Sequence, residues 1–250
     1  MTVENLGVKL YQGLKQDRVS DSLGNAGDGT NTGVTLGKAW TFTDSAFSIT
    51  GGEMKYVASG GEDYIQAWRD FGSTLSDTTW TCRFTTQSSE TSANPFTFFG
   101  LSSNTSELDQ NQDFIGYEHR YNDNKWGVVY ADGSSVPLTS NSVTNDSSTY
   151  YVEIKRTADD TVTMNIWTGS YGGTLVDSET IDDIPATVVD LRYIKFAAKD
   201  NYSQTVVWDN LQIWNGTNDT SGTPDLTDNF ATNASGGQKL GTGCYEYDAN

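Results

Sequence analysis

The chain has 250 residues and a formal net charge of -18, with 33 Asp plus Glu against 15 Lys plus Arg. This length allows one large all-β domain, and a hydrophobic content of 35% is workable for two thin sheets packed face to face. The charge disfavours a nucleic-acid partner, since DNA and RNA binding needs a basic surface.

Residues 1–37 form the first segment of the chain. A short apolar patch near the start passes into a stretch rich in Gly, Asn and Asp that has no periodicity. We interpret this segment as an N-terminal arm and linker.

Short strands separated by turn residues follow the arm. Runs of strand-forming residues, most of them alternating between apolar and polar, predict about a dozen strands, and no run has helical spacing. The predicted strands are 39–43, 47–49, 53–57, 63–71, 79–85, 94–101, 113–121, 125–131, 149–156, 161–167, 174–181, 190–197 and 204–214.

The strongest strand pattern lies at 204–214. Strict alternation predicts an apolar row on one face and a polar-aromatic row on the other. The apolar row is Val207, Leu211 and Ile213, and the opposite row is Trp208, Asn210, Gln212 and Trp214. Asp209 falls on the apolar row, where a carboxylate is costly unless hydrogen bonds or a cation satisfy it.

Residues 217–250 follow this strand as a polar linker and a C-terminal tail. Within the tail, a lysine-containing stretch echoes residues 35–44 near the start of the strand region. The tail therefore resembles the beginning of a further module. Because a lone strand cannot bury its own face, we expect the tail to dock on its own sandwich or on a neighbour's.

Three motifs together resemble the concanavalin A-like, laminin-G-like jelly-roll group. They are Ser-Ile-Thr-Gly-Gly-Glu-Met at 48–54, Tyr-Tyr-Val-Glu-Ile-Lys-Arg at 150–156, and Val-Trp-Asp-Asn-Leu-Gln-Ile-Trp at 207–214. The resemblance implies an all-β, two-sheet antiparallel jelly-roll sandwich at 38–216, with an extended N-terminal arm and a C-terminal tail. This fold hosts lectins, glycosidases, lyases and structural modules, so it does not determine the activity.

Catalytic motifs on this fold are incomplete in the sequence. Glycosidases of the group use Glu-X-Asp-X-X-Glu, and the nearest match, at 107–109, lies in a polar loop without the third carboxylate. A polysaccharide lyase would need His119, Tyr121, Arg83 and Tyr193 to converge. The stretch 193–204 is similar to the Tyr-X-Lys-X-Gly-X-Tyr-X-Gln strand of alginate lyases, but it has extra residues and no glycine. We therefore expect no enzymatic activity.

Aromatic residues on the 113–131 hairpin are candidates for carbohydrate binding. The pattern predicts that they point outward, where rings can form a platform for sugars. They are Tyr117, His119, Tyr121, Trp126 and Tyr130. The alternative is that these rings pack in the core or between subunits.

Four oxygen-bearing residues are candidate calcium ligands, because calcium prefers clustered carboxylate and carbonyl oxygens. They are Asp209 and Asn210 on the long strand, and Asp109 and Asp113 near a polar loop. The alternative for Asp209 is a structural carboxylate held by hydrogen bonds.

The functional hypothesis is a non-enzymatic structural or adhesive module of an extracellular assembly. A virion protein of the capsid, decoration or tail-fibre type is favoured, because the chain begins without an export signal and has no segment long enough to insert into a membrane. Its expected partners are copies of itself or other assembly subunits, through arm and tail, and cell-surface glycans. A carbohydrate-binding module and a polysaccharide lyase are the alternatives.

Overall fold

A computed structural model describes residues 40–57, 64–89, 97–106, 112–120, 125–133, 143, 146–199, 205–228 and 230. The described residues form fourteen strands and contain no helix that could cross a membrane. The strands are β1 (Thr41–Phe42), β2 (Phe47–Thr50), β3 (Glu53–Val57), β4 (Tyr64–Asp70), β5 (Trp80–Ser88), β6 (Thr97–Ser102), β7 (Asp113–Arg120), β8 (Lys125–Asp132), β9 (Tyr150–Arg156), β10 (Val162–Thr168), β11 (Thr174–Ile181), β12 (Tyr193–Lys199), β13 (Thr205–Asn215) and β14 (Leu226–Asp228).

The strands form two antiparallel sheets. Sheet A has eight strands in the order β11-β10-β9-β5-β13-β3-β2, with β14 paired to β13. Sheet B has six strands in the order β1-β4-β12-β6-β7-β8. The predicted two-sheet, antiparallel, all-β architecture is confirmed, and every predicted strand matches an observed one to within three residues at either end.

Aromatic rings fill the space between the two sheets. Phe84 of sheet A lies 4.3 Å from Phe99 of sheet B, and Phe196 lies 4.6 Å from Phe99 and 4.8 Å from Trp208. The indole nitrogen of Trp208 donates a hydrogen bond of 3.1 Å to the hydroxyl of Tyr117. Large rings that also satisfy their polar atoms stabilise a core in both ways.

The aromatic residues of the β7–β8 hairpin point inward, which corrects their predicted orientation. Tyr117, His119 and Trp126 are each 1% exposed, and Tyr130 is 6% exposed. They pack in the core, where Tyr117 contacts Phe84 of sheet A, and the opposite row of the hairpin is buried in a separate cluster. Because both rows are buried, hydrophobicity alone does not show which row faces the core. Tyr121 lies outside the described residues. Carbohydrate binding by this group stays a prediction.

A β-bulge in β13 corrects the predicted rows of that strand. Thr85 of β5 pairs with Asp209, but Arg83, two residues earlier on β5, pairs with Gln212, three residues later on β13. The extra residue on β13 reverses its alternation. The core-facing residues are therefore Val206 and Trp208 before the bulge, and Leu211 and Ile213 after it.

The bulge has two structural consequences at its centre. Asn210 adopts a φ of 54°, a left-handed conformation that asparagine tolerates better than most residues. Asp209 and Val207 face away from the core and are partly exposed. The predicted conflict of a carboxylate on a buried apolar row is thereby removed.

The outer face of sheet B is closed by a second, smaller apolar cluster. Its members are Phe98, Phe114, Val129, Ala131 and Ala197, each at most 5% exposed. Beside this cluster the Lys195 amine, which is fully buried, donates to the backbone oxygen of Ser106 at 2.7 Å and to Gln112 Oε1 at 2.6 Å.

The sandwich continues beyond residue 216, where the sequence suggested a linker. Strand β14 pairs with Leu211, Gln212 and Ile213 of β13. The Asp228 carboxylate, 8% exposed, accepts from Trp40 Nε1 at 2.9 Å and forms an ion pair with Arg69. We call Trp40, Arg69 and Asp228 the terminal clasp. The arm and the end of the tail lie outside the described residues.

We predict that Asn210→Ala is less stable than Asn210→Gly by about 1 kcal/mol, because only glycine adopts positive φ without cost. Both variants lose the asparagine amide, so their difference isolates the backbone conformation. Denaturant unfolding measures it. Equal stabilities, or a more stable alanine variant, would argue against a left-handed residue at this position.

We predict that Asp228→Ala loses about 3 to 5 kcal/mol of unfolding free energy, because Arg69 would keep a buried charge without its partner. The pKa of Arg69 is lowered by burial and raised again by Asp228, consistent with this dependence. The double variant Arg69→Met/Asp228→Leu should be more stable than Asp228→Ala. Arg192→Met, which breaks an exposed ion pair with Asp70, is the control and should cost much less. A similar loss of unfolding free energy in Asp228→Ala and Arg192→Met would contradict the prediction.

Candidate functional site

The outer face of sheet A carries a row of polar and aromatic side chains. The strand register aligns Asp209 of β13 with Thr85 of β5, Thr85 with Tyr151 of β9, and Tyr151 with Trp167 of β10. The neighbours of Tyr151 along β9, Tyr150 and Val152, are buried. Because side chains alternate across a strand, this row points away from the core.

Three partly exposed rings on this face form what we call the aromatic platform: Tyr151, Trp167 and Tyr171. Tyr171 comes from the loop between β10 and β11, and its ring lies 5.2 Å from Tyr151 and 6.2 Å from Trp167. Both contacts are close to perpendicular, at 85° and 76°. Such edge-to-face contacts add to the stability given by burial and hold the rings in fixed orientations.

A network of charges supports the platform from below. The Arg83 guanidinium lies 4.8 Å from the centre of the Tyr171 ring and 5.5 Å from that of Trp214. Its Nε and Nη2 both contact Glu153 Oε2 at 2.6 Å, and Lys155 contacts Glu153 Oε1 at 2.8 Å. Glu153 is only 2% exposed, so both cations are held on one buried carboxylate. Arg83 thus supports the Tyr171 ring by a cation–π contact.

The hydroxyl of Tyr171 is buried and has no hydrogen-bond partner among the described residues. Burial raises the pKa of Tyr171 strongly, the charge of Glu153 acts in the same direction, and Arg83 opposes them. A tyrosine hydroxyl is protonated at neutral pH even without such a shift, so the ring is neutral.

A polar pocket adjoins the platform at Tyr151. Its volume is about 170 Å³. The lining includes Glu53, Thr85, Gln87, Thr149, Tyr151 and Asp209. Pockets that hold drug-sized ligands measure about 300 to 1,000 Å³. This pocket is thus large enough for only part of an extended ligand.

The Asp209 carboxylate is one of two charged acceptors that line the polar pocket, the other being Glu53. Its Oδ1 accepts from the Asn210 backbone nitrogen at 2.6 Å, and its Oδ2 accepts from Asn210 Nδ2 at 3.0 Å. An ionised carboxylate has about four acceptor positions, so further donors can bind. Desolvation raises the pKa of Asp209, and the charges of Glu53 and Asp228 raise it further, against the lowering by the Asn210 backbone bond.

The structure does not bring the candidate calcium ligands together. Asp209 and Asn210 lie on sheet A, whereas Asp113 begins β7 in sheet B, where its Oδ2 accepts from the Val189 nitrogen at 3.4 Å. Asp109 lies outside the described residues. Within the described ranges no group of three or more His, Cys, Asp and Glu side chains could hold a metal ion. Calcium prefers six to eight oxygen ligands, so the described residues do not fit a calcium site.

The residues of the lyase alternative also lie apart. His119 is in the core, Arg83 is on the outer face of sheet A, and Tyr193 is on the outer face of sheet B, next to the buried Ile194. Tyr121 lies outside the described residues. The convergence that a lyase would require is therefore not found for the three of these side chains that the structure describes.

Sequence reasoning missed Tyr151, Trp167 and Tyr171 as site residues. The apolar row of the predicted strands 149–156 and 161–167, which includes Val152, Ile154 and Ile166, indicates only which face of the hairpin is buried. The indication of a site lay in the opposite row of the hairpin, where Tyr151 of one strand pairs with Trp167 of the other. An aromatic residue in the next turn, Tyr171, would have strengthened it.

No protein-family model matches the chain, and no curated protein matches it. Several solved structures are similar to it in fold. The exoplasmic/lumenal domain of VIP36, bound to Ca²⁺ and Man3GlcNAc, is 8% identical with a TM-score of 0.53, covering 74% of this chain and 86% of that one. A family 7 alginate lyase, A1-II′, is 13% identical with a TM-score of 0.45, covering 70% and 86%. A botulinum neurotoxin type C, from work on its interaction with two ganglioside molecules, is 14% identical with a TM-score of 0.45, covering 73% and 45%. The similarity to VIP36 and the sheet topology show that this chain has a concanavalin A-like jelly-roll fold.

Proposed function

We propose that this protein is a non-enzymatic glycan-binding module that acts outside the cell, with its site on the outer face of sheet A. The aromatic platform stacks against the apolar face of a sugar ring. The polar pocket accepts and donates hydrogen bonds to the hydroxyl groups of the same or the next sugar.

One observation carries this proposal: Tyr151 belongs to both the aromatic platform and the polar pocket. A sugar ring has an apolar face bounded by hydroxyl groups, so a site for it needs a ring and polar groups side by side. The similarity to VIP36 supports the fold on which such a site is built. That VIP36 structure contains a mannose oligosaccharide, which is consistent with the same use here.

The absence of enzymatic activity is part of the proposal. Support comes from the separation of Arg83, His119 and Tyr193 across three layers of the sandwich, since proton transfer needs catalytic groups within hydrogen-bond reach of one substrate. Release of unsaturated uronates from a polysaccharide, lost in His119→Ala, would establish the lyase alternative instead.

Location in a virion and self-assembly through arm and tail stay predictions from the sequence. The arm and the last part of the tail lie outside the described residues. A glycan-binding surface is compatible with a capsid, decoration or fibre protein, and equally with a carbohydrate-binding module of a cell-surface protein.

We predict that Trp167→Ala lowers affinity for the glycan found on an array by at least about tenfold, or about 1.4 kcal/mol, because the sugar loses its stacking partner. Isothermal titration with that glycan measures the change. Tyr151→Ala should weaken binding more than Trp167→Ala, because Tyr151 also lines the pocket.

Trp68→Ala is the matched control for this experiment. Trp68 is a partly exposed tryptophan on the outer face of sheet B, 5.8 Å from Tyr193, and it is not part of the site. Its removal should leave affinity unchanged. If Trp68→Ala abolishes binding while Trp167→Ala does not, the site is on the other sheet and the proposal is wrong.

We predict that glycan binding at the polar pocket does not require calcium, because the pocket is lined by two carboxylates only, Glu53 and Asp209, and no described group of three or more acidic or histidine side chains could hold the ion. Affinity should be the same in excess EDTA and in excess calcium, and calcium should not raise the melting temperature. A calcium-dependent rise in melting temperature that disappears in Asp209→Asn would place a metal site at the bulge and overturn this expectation.

A further inference from the structure

We infer that the glycan bound at this site is uncharged, a hydroxyl-rich neutral saccharide rather than a uronate, sialylated or sulfated one. This inference rests on the proposed function and adds its ligand class. It follows from which charges at the site are free to meet a ligand.

The cations nearest to the platform are already paired. Recognition of a carboxylate or sulfate group uses an arginine fork or a lysine with free donors. Arg83 has two nitrogens on Glu153 and lies against the Tyr171 and Trp214 rings. Lys155 contacts the same carboxylate. An anionic sugar would have to compete with a carboxylate that is 2% exposed and needs both cations.

The charged residues that line the pocket itself are both acidic. They are Glu53 and Asp209. Lys55 lies two residues after Glu53 on the same face of β3, but it does not line the pocket. Burial is the main cause of the raised pKa of Asp209, and the charge of Glu53 contributes to it. With a whole-chain charge of -18, an anionic polysaccharide meets repulsion both at a distance and on contact.

A neutral sugar, by contrast, matches three polar groups of the pocket, Asp209, Thr85 and Gln87. A sugar hydroxyl can donate to Asp209, and hydrogen bonds to a charged acceptor are stronger than neutral ones. Thr85 donates its own hydroxyl proton to the Asp209 backbone oxygen at 3.3 Å, which leaves its oxygen to accept from the ligand. Gln87 donates through Nε2 to the Ser147 oxygen at 2.7 Å, which leaves its Oε1 as another acceptor. These three groups thus offer acceptors to the hydroxyl donors of a sugar.

The test is a glycan array containing neutral saccharides together with uronate, sialylated and sulfated ones, followed by titration at low and high salt. We expect hits among neutral glycans only, with affinities that salt leaves unchanged, because no ion pair is formed. An acidic derivative of the best neutral ligand should bind at least about tenfold more weakly.

Two variants sharpen the experiment. Asp209→Asn should weaken the neutral glycan about tenfold, because a charged acceptor is replaced by a neutral one. It should also reduce the difference in affinity between the neutral glycan and its acidic derivative. Asp182→Asn removes one exposed carboxylate from the loop after β11 and should change neither affinity.

The outcomes separate the two claims. Hits on acidic glycans that weaken with salt and are lost in Trp167→Ala would overturn the inference and keep the proposed function. Equal affinity for neutral and acidic versions would also overturn the inference. No binding to any glycan would overturn both.

Discussion

The extra residue in β13 is the constraint on which the rest of the structure depends. Trp208 and Leu211 have opposite parity in the sequence, yet both are fully buried in the core. Burying a large apolar side chain is worth about 1.5 to 3 kcal/mol, and a residue at positive φ costs about 1 to 3 kcal/mol. Since the bulge allows several such side chains to be buried at the expense of one left-handed residue, burial prevails. The same shift turns Asp209 outward into the polar pocket, so core packing and the candidate site have one cause.

The strands could be predicted from the sequence because alternation and turn residues are local signals. The face that each strand buries was harder to predict. In β7 and β8 both rows are apolar or aromatic, with Tyr117 and Val128 on one side and Phe114 and Val129 on the other. Both sides of this part of sheet B are buried, so hydrophobicity alone cannot orient the rings. In β13 the bulge interrupts the alternation. A strict period of two therefore places Asp209 on the same face as Leu211 and Ile213, although only the latter two face the core.

The candidate site was beyond sequence reasoning for a different reason. Its members come from β3, β5, β9, β10, β13 and a loop, and only the strand register makes Asp209, Thr85, Tyr151 and Trp167 neighbours. The sequence also does not show which charged side chains pair with each other. Arg83 counts as a free cation in the composition, but in the structure it is shared between a buried carboxylate and two aromatic rings. The chemistry of the site therefore depends on which groups are already paired.

The terminal clasp also determines how a mechanical load would pass through this module. Trp40 and Asp228 stand near the two ends of the described sandwich and are in direct contact. A force that pulls the chain before Trp40 and after Asp228 would therefore act first on this contact, because it links the two segments. The sheets, and the candidate site on sheet A, would carry little of that force until the clasp opened. A module built in this way keeps its candidate site away from the contact on which such a force would act first.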